Sequence, residues 1–230
     1  MKTIGFIGAY DKTDFIMNIA KTLVELERNV LVVDTTTLER LKYVVPTISP
    51  TKSYMTSFEK IDFAFGFENI EEILKYVGLE AQEGKNAMPY DYMLIDIDNG
   101  KNFEKFDLQR ADANYFVTAF DLYSLRRGMT IIEEIKAPVR LTKVLFSYEI
   151  TKSDEDYLEF ISLEKNVVWN EYTIYFTILR EDNQAMEENE RVAQIRLKRL
   201  TNEYKDSLAI MVQDIIKDIN VNKVKKIIKG

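Results

Sequence analysis

The chain alternates short apolar runs with stretches whose apolar residues recur every three or four positions. Thr3 to Ile7 is β-rich and stops at Gly8, which predicts a buried strand. From Thr13 onward, Ile16, Ile19, Ala20 and Leu23 fall on one face of a helix. Val30 to Val33 is a continuous apolar run, as in a parallel strand covered on both faces. The alternation continues with a helix over Asn69 to Val77 and a strand over Tyr92 to Ile97. A strand over Tyr115 to Thr118 follows, then a helix over Leu122 to Ile135 that Asp121 can cap. Leu141 to Ser147 is predicted as a strand, Asp154 to Ile161 as a helix, Glu171 to Ile178 as extended, and 183 to 219 as mostly helical. Segments 43–65 and 78–89 show no clear period and are placed in no element.

Strands alternating with helices imply right-handed parallel crossovers. The expected fold is α/β, a three-layer sandwich with a mainly parallel central sheet flanked by helices. With four Pro, eight Gly and no linker-like stretch, residues 1–230 read as one domain, with 220–230 a basic amphipathic tail. Ligands of such sheets bind beyond the carboxyl ends of the strands. That edge collects the Gly8–Thr13 loop, Asp34, Asp96, Asp98 and the residues after Thr118.

Composition narrows the chemistry. There is no Cys and no His, which removes disulfides, thiol nucleophiles, Cys/His metal sites and an imidazole base. A net charge of −7 argues against specific nucleic-acid binding, which needs a basic face. Arg126, Arg127, Arg196, Lys198 and Arg199 remain as candidates for a local basic patch. No apolar stretch reaches the roughly 20 residues of a membrane span, and the N-terminus does not read as a signal peptide.

The run Ile7-Gly8-Ala9-Tyr10-Asp11-Lys12-Thr13-Asp14 follows a strand and opens a helix. Phosphate-binding loops of this layout use glycines, a Lys and a Thr, and the helix N-terminus adds positive partial charge. Lys12 and Thr13 stand at the positions of the phosphate Lys and the metal Thr, but Asp11 replaces the glycine before the Lys. Its carboxylate would oppose a polyphosphate by about 4 kcal/mol for unit charges 4 Å apart at an effective dielectric of 20. Alternatively Asp11 caps the helix, with Asp14 at the third helical position reinforcing the dipole, and Lys12 pairs with Asp96 or Asp34. Asp96 reads either as a metal carboxylate acting through water or as a strand-end cap. Tyr10, Tyr43, Tyr54 and Phe58 read either as a partner surface or as ordinary packing.

These residues, in this order, resemble the MinD/ParA group of deviant Walker A ATPases, including its TadZ/CpaE-like pilus-assembly members. The likeness spans nearly the whole chain. The group's loop, Lys-Gly-Gly-x-Gly-Lys-Thr, falls on Ile7, Gly8, Ala9, Tyr10, Asp11, Lys12 and Thr13. Its second-strand Asp-x-Asp falls on Asp34, Thr35 and Thr36, and its Walker B stretch on Tyr90 to Asp96. The resemblance implies ATP or ADP with Mg2+ as cofactor, with Gly8, Lys12 and Thr13 as nucleotide ligands and Thr13, Asp34 and Asp96 around the metal. The departures imply that nucleotide is held weakly or not at all. The lysine that crosses the dimer is Ile7, the water-positioning Asp is Thr36, and the adenine-reading Asn is replaced near Phe146. No catalytic residue is assigned. The expectation is a pseudo-ATPase adaptor in a bacterial secretion, pilus or conjugation apparatus, with a protein partner and a homodimer. It would be cytoplasmic, with peripheral contact at the inner membrane face through the tail. The alternative is a slow ATPase whose nucleotide state controls dimerisation and partner, DNA or membrane binding.

Overall fold

The protein is described by a computed structural model over residues 1–47, 52–79, 87–149 and 151–230. Its first unit is strand β1 (Lys2–Ile7), helix α1 (Thr13–Glu25) and strand β2 (Val30–Asp34). A short helix α2 (Leu41–Val44) leads toward strands β3 (Tyr54–Phe58) and β4 (Ile61–Phe65). Helix α3 (Ile70–Tyr76) precedes β5 (Tyr92–Ile97), and α4 (Gly100–Lys105) precedes β6 (Ala113–Ala119). Then come α5 (Leu122–Glu134), β7 (Val139–Ser147), α6 (Lys152–Ser162), β8 (Val167–Thr177), α7 (Arg180–Val192), α8 (Asn202–Ile216) and α9 (Val221–Lys229).

Among the described residues the strands form one eight-stranded sheet in the order β3-β4-β2-β5-β1-β6-β7-β8. Every pairing is parallel except β3 with β4. Apolar residues on the two faces of the sheet build two cores. One packs α1, α8 and α9 over Phe6, Val32 and Leu94, and the other packs α3 to α6 over Ile7, Val33 and Ile95. The alternate residues of β1, β2 and β5 thus divide between the two cores, which is why these strands carry almost no polar residue.

Several boundaries differ from the sequence reading. The segment 43–65 contains the β3–β4 hairpin, whose turn is made by Glu59 (φ 54) and Lys60 (φ 64). A two-residue hairpin needs positive φ at both positions, usually supplied by Asn and Gly, so the Glu-Lys pair gave no turn signal. Residues 48–51 and 80–86 of the two unplaced segments lie outside the described residues. The helical stretch 183–219 is divided: α7 ends at Ala193 in a left-handed conformation (φ 48), and a 3-10 turn over Leu197–Arg199 precedes α8. β8 starts at Val167, earlier than expected, and its pairing with β7 shifts between Leu141 and Lys143. The tail is an ordered helix, α9, with Val224 and Ile228 at 0% and 1% exposure in the core beside α8 and α1. Its apolar side faces the protein, and its lysines face outward.

Candidate functional site

The carboxyl edge of the sheet is assembled by register. β1 lies between β5 and β6, and β2 pairs with β5 so that Asp34 stands beside Asp96. These two acids, 62 residues apart in sequence by their numbers (96 minus 34), become neighbours because parallel strands align their carboxyl ends. Gly8 leaves β1 at φ +150, and a side chain there would begin 2.2 Å from the carbonyl oxygen of Val117. Only glycine lets the loop pass this close to β6.

Lys12 occupies the N-cap position of α1 and its side chain turns inward. It is 3% exposed. Its ammonium donates to the carbonyl oxygens of Gly8 (2.7 Å) and Tyr10 (3.1 Å) and lies 3.0 Å from Asp96 Oδ1. Three oxygens therefore surround a group that has three protons to give. Asp11 stands one residue before the N-cap and Asp14 is second in the helix, one position earlier in each case than the cap and third position expected from the sequence, because Lys12 takes the N-cap. Asp11 still terminates the helix. Its Oδ1 accepts from the Thr13 amide (3.1 Å) and the Thr13 hydroxyl (2.8 Å), and its Oδ2 lies 2.8 Å from Arg40 Nη1. Asp11 therefore takes both groups of Thr13 that a phosphate or a metal shell would need.

Asp34 is equally engaged. Its Oδ1 accepts from the Thr36 amide (2.9 Å) and hydroxyl (2.6 Å), and its Oδ2 from the Leu41 amide (3.1 Å). Burial raises its pKa, and the bonds from Thr36 and Leu41 oppose that rise. Burial also lifts Asp96, to about 7; Lys12 pulls it down and Asp34 pushes it up. Asp98 ties the end of β5 to the end of β2, accepting from the Thr37 amide (2.8 Å) and hydroxyl (3.1 Å). Asp121 caps α5 through the Ser124 amide (2.9 Å), as its sequence position indicates.

A cavity of about 250 Å³ faces the loop, with Lys12, Thr13, Thr36, Arg40 and Asp96 in its walls. The side chains present do not fit Mg-nucleotide as they stand. The Lys12 ammonium and the Thr13 hydroxyl are directed at oxygens of the protein, and both Asp34 oxygens hold hydrogen bonds. Gly8, Lys12, Thr13, Asp34 and Asp96 are nonetheless gathered at one edge, where the sequence places them. Arg40 was not visible in the sequence as a member of this site, since nothing in its surroundings links it to Asp11.

The ring of Tyr10 stacks on Phe146 (4.9 Å, 22°), and Phe146 stacks on Phe176 (4.9 Å, 20°). Phe15 meets Phe146 edge-on at 5.2 Å. Burial, with Asp11, Asp121 and Asp14 nearby, lifts the Tyr10 hydroxyl to about 12. Of the other aromatics in this region, Tyr54 is buried and Phe58 packs on the core, whereas Tyr43 (84%) and Tyr123 (70%) are exposed. The five basic residues do not make one patch. Arg127 on α5 pairs with Glu134 on one face of the sheet, and Arg199 beyond α7 pairs with Glu188 on the other.

This arrangement is the fold of P-loop NTPases, and within them of the MinD/ParA type. No protein-family model and no curated protein matches the chain. Among solved structures it is similar to a chain of the MinC:MinD cell division complex of Aquifex aeolicus. The TM-score is 0.62 at 15% identity, covering 96% of this chain and 97% of that one. It is similar to a ParA family ATPase from Chlorobium tepidum (TM-score 0.57, 16% identity, 100% and 98% covered). A Cyanothece McdA–ATP complex aligns with a TM-score of 0.57 at 12% identity, covering 96% and 98%.

Proposed function

We propose that this chain is a MinD/ParA-like positioning or assembly protein that works without ATP hydrolysis, or with very slow hydrolysis. The observation that carries this reading is Lys12. Its ammonium is held by Gly8, Tyr10 and Asp96, while Asp11 takes the amide and hydroxyl of Thr13. Phosphoryl transfer depends on positioned charge. Ile7, Asp11 and Thr36 replace the three groups that the resemblance assigns to dimer crossing, phosphate wrapping and water positioning. The Tyr10 ring on Phe146 covers the place the resemblance gives to the base. The loop thus carries its own carboxylate and its own ring. The partner would be a protein of a bacterial secretion, pilus or conjugation apparatus, docking near exposed Leu38, Tyr43 and Tyr123, with a homodimer as the working unit. On this proposal residues 1–230 act as one unit. Steady-state ATP hydrolysis at the rate of intact relatives, abolished by Lys12→Ala, would overturn the proposal.

A second reading is favoured by the cavity in front of the loop, which keeps Lys12, Thr13 and Asp96 in its walls. On it the chain is a slow ATPase whose Mg-ATP state governs dimerisation, and Thr13, Asp34 and Asp96 would hold the metal, which would neutralise phosphate charge there. It requires Mg-ATP to raise the melting temperature by mass action. An unchanged melting curve at millimolar Mg-ATP removes it. Membrane contact through α9 would rest on its outward lysines alone, since Val224 and Ile228 are buried.

A further inference from the structure

β8 closes one end of the sheet, with β7 as its neighbour on one side only. An edge strand directs every second N–H and C=O away from the sheet, toward whatever can pair with it. Among the described residues no hydrogen bond reaches the main chain of β8 from any element but β7. The register with β7 jumps between Trp169 and Thr173. That irregularity interrupts the first half of the edge and leaves Thr173-Ile174-Tyr175-Phe176-Thr177 as its regular run. Edges are commonly blunted by charge, above all Lys, or by Pro. This run has neither, and its nearest charged residues are Glu171 and Arg180. The opposite edge, β3, is flanked by Lys52, Glu59 and Lys60.

The run reads almost the same in both directions, and that points to its occupant. Two copies laid antiparallel about a two-fold axis through Tyr175 oppose Thr173 to Thr177, Ile174 to Phe176, and Tyr175 to itself. Threonine pairs and aromatic pairs are favourable across strands. No like charges meet in this register, although each chain carries a net −7. The faces also match. Ile174 and Phe176 belong to the core beneath α8. Tyr175 lies on the α6 side, where its hydroxyl donates to Glu155 and its ring remains 42% exposed. A two-fold axis normal to the sheet keeps each residue on its own side in both copies. Five paired residues bury less than the roughly 1,200 Å² of a stable interface, so the contact is weak and depends on local concentration.

We propose that the β8 edge pairs antiparallel with β8 of a second copy of this chain through Thr173 to Thr177, giving one sheet continuous across two molecules. The pairing runs along the side of the sheet, apart from Leu38, Tyr43 and Tyr123 at the loop face. It stands whether or not nucleotide occupies the loop.

The chain has no Cys, so one introduced cysteine reports its own pairing. Directly opposed residues bring their Cα atoms to about 4.5–5.5 Å, within disulfide range. Under mild oxidation Tyr175→Cys is expected to form linked dimers about tenfold faster than Tyr76→Cys, an exposed control on α3. Thr173→Cys and Thr177→Cys should link quickly in combination and slowly alone, which fixes the register. Sedimentation velocity of the unaltered chain, from micromolar to millimolar, is expected to show an average sedimentation coefficient that rises with concentration. Tyr175→Lys sets like charges opposite one another and should abolish that rise. Adding Tyr123→Lys at the loop face should leave the Tyr175→Cys link intact. Sedimentation independent of concentration, self-association undiminished in Tyr175→Lys, linking no faster than in Tyr76→Cys, or linking lost with Tyr123→Lys would each overturn the proposal. A monomeric chain whose Tyr175→Cys variant links instead to a blocked Thr-Val-Cys-Val-Thr peptide would give the edge to a foreign strand and overturn it too.

Discussion

The ring of Tyr10 lies on the ring of Phe146, centroids 4.9 Å apart and planes within 22°. This contact joins the loop after β1 to the end of β7, and it places an aromatic side chain at the carboxyl edge of the sheet, where open α/β sheets bind their ligands. Lys12, two residues on, turns the other way, into the protein. The loop is held from both sides by its own residues.

Lys12 and Asp96 form a buried pair at 3.0 Å, 2% and 6% exposed at their side chains. Breaking such a pair leaves an uncompensated charge, which costs about 3–5 kcal/mol. Lys12→Met is therefore expected to destabilise the nucleotide-free protein by about that amount at pH 8, read as a lower urea midpoint at unchanged slope. A loop that held its lysine ready for phosphate would show almost no such loss.

The stability of the protein should fall as pH rises from about 4 to about 7. Asp14 and Asp96 both have folded pKa values raised to about 7, from 3.8, with burial the largest cause in each. The folded state then binds more protons than the unfolded one across that window, so protonation favours folding there, and the curve flattens above it. Asp14→Asn should remove part of the slope and stabilise the protein at pH 8 by about 1–3 kcal/mol. Thermal melts of both proteins across this range provide the comparison; parallel curves would refute the assignment to Asp14.

The β3–β4 turn offers a gain. Lys60 sits at φ 64 with a Cβ that the left-handed region disfavours. Lys60→Gly is expected to stabilise by about 0.5–1 kcal/mol, because glycine adopts this conformation without strain. Glu59 is best left in place, since it accepts from Lys21 at 2.7 Å and fastens the hairpin to α1. Equilibrium unfolding in urea measures the difference.

Helix α9 is expected to behave as part of the core. Ile228 is 1% exposed, so Ile228→Ala should cost about 2–5 kcal/mol. Replacing Lys223 and Lys226, for which no ion pair is present among the described residues, should leave stability within about 0.5 kcal/mol. Liposome co-sedimentation is therefore better tested with those lysine variants than by truncation, which would unfold what it is meant to probe.

The periodic elements were legible because burial on both faces of β1, β2 and β5 forces unbroken apolar runs, and α1 shows a clean helical stripe. The β3–β4 hairpin was not, because its strands are five residues each and its turn lacks Gly and Asn. Lys12, Thr13, Asp34 and Asp96 could be named from the order of motifs. What each side chain holds could not, because Asp34 meets Asp96 only through strand register, and Arg40 meets Asp11 only through the path of the chain after β2. The pairing of Tyr10 with Phe146 is of the same kind, a contact made by topology between residues far apart in sequence.

Fastened in three directions and 3% exposed, Lys12 should be silent to amine-reactive reagents while the outward lysines of α9 label readily. Any ligand or partner that opens the loop would then announce itself as one newly reactive lysine near the N-terminus. The chain carries, in one enclosed lysine, a built-in reporter of whether that loop is open or closed.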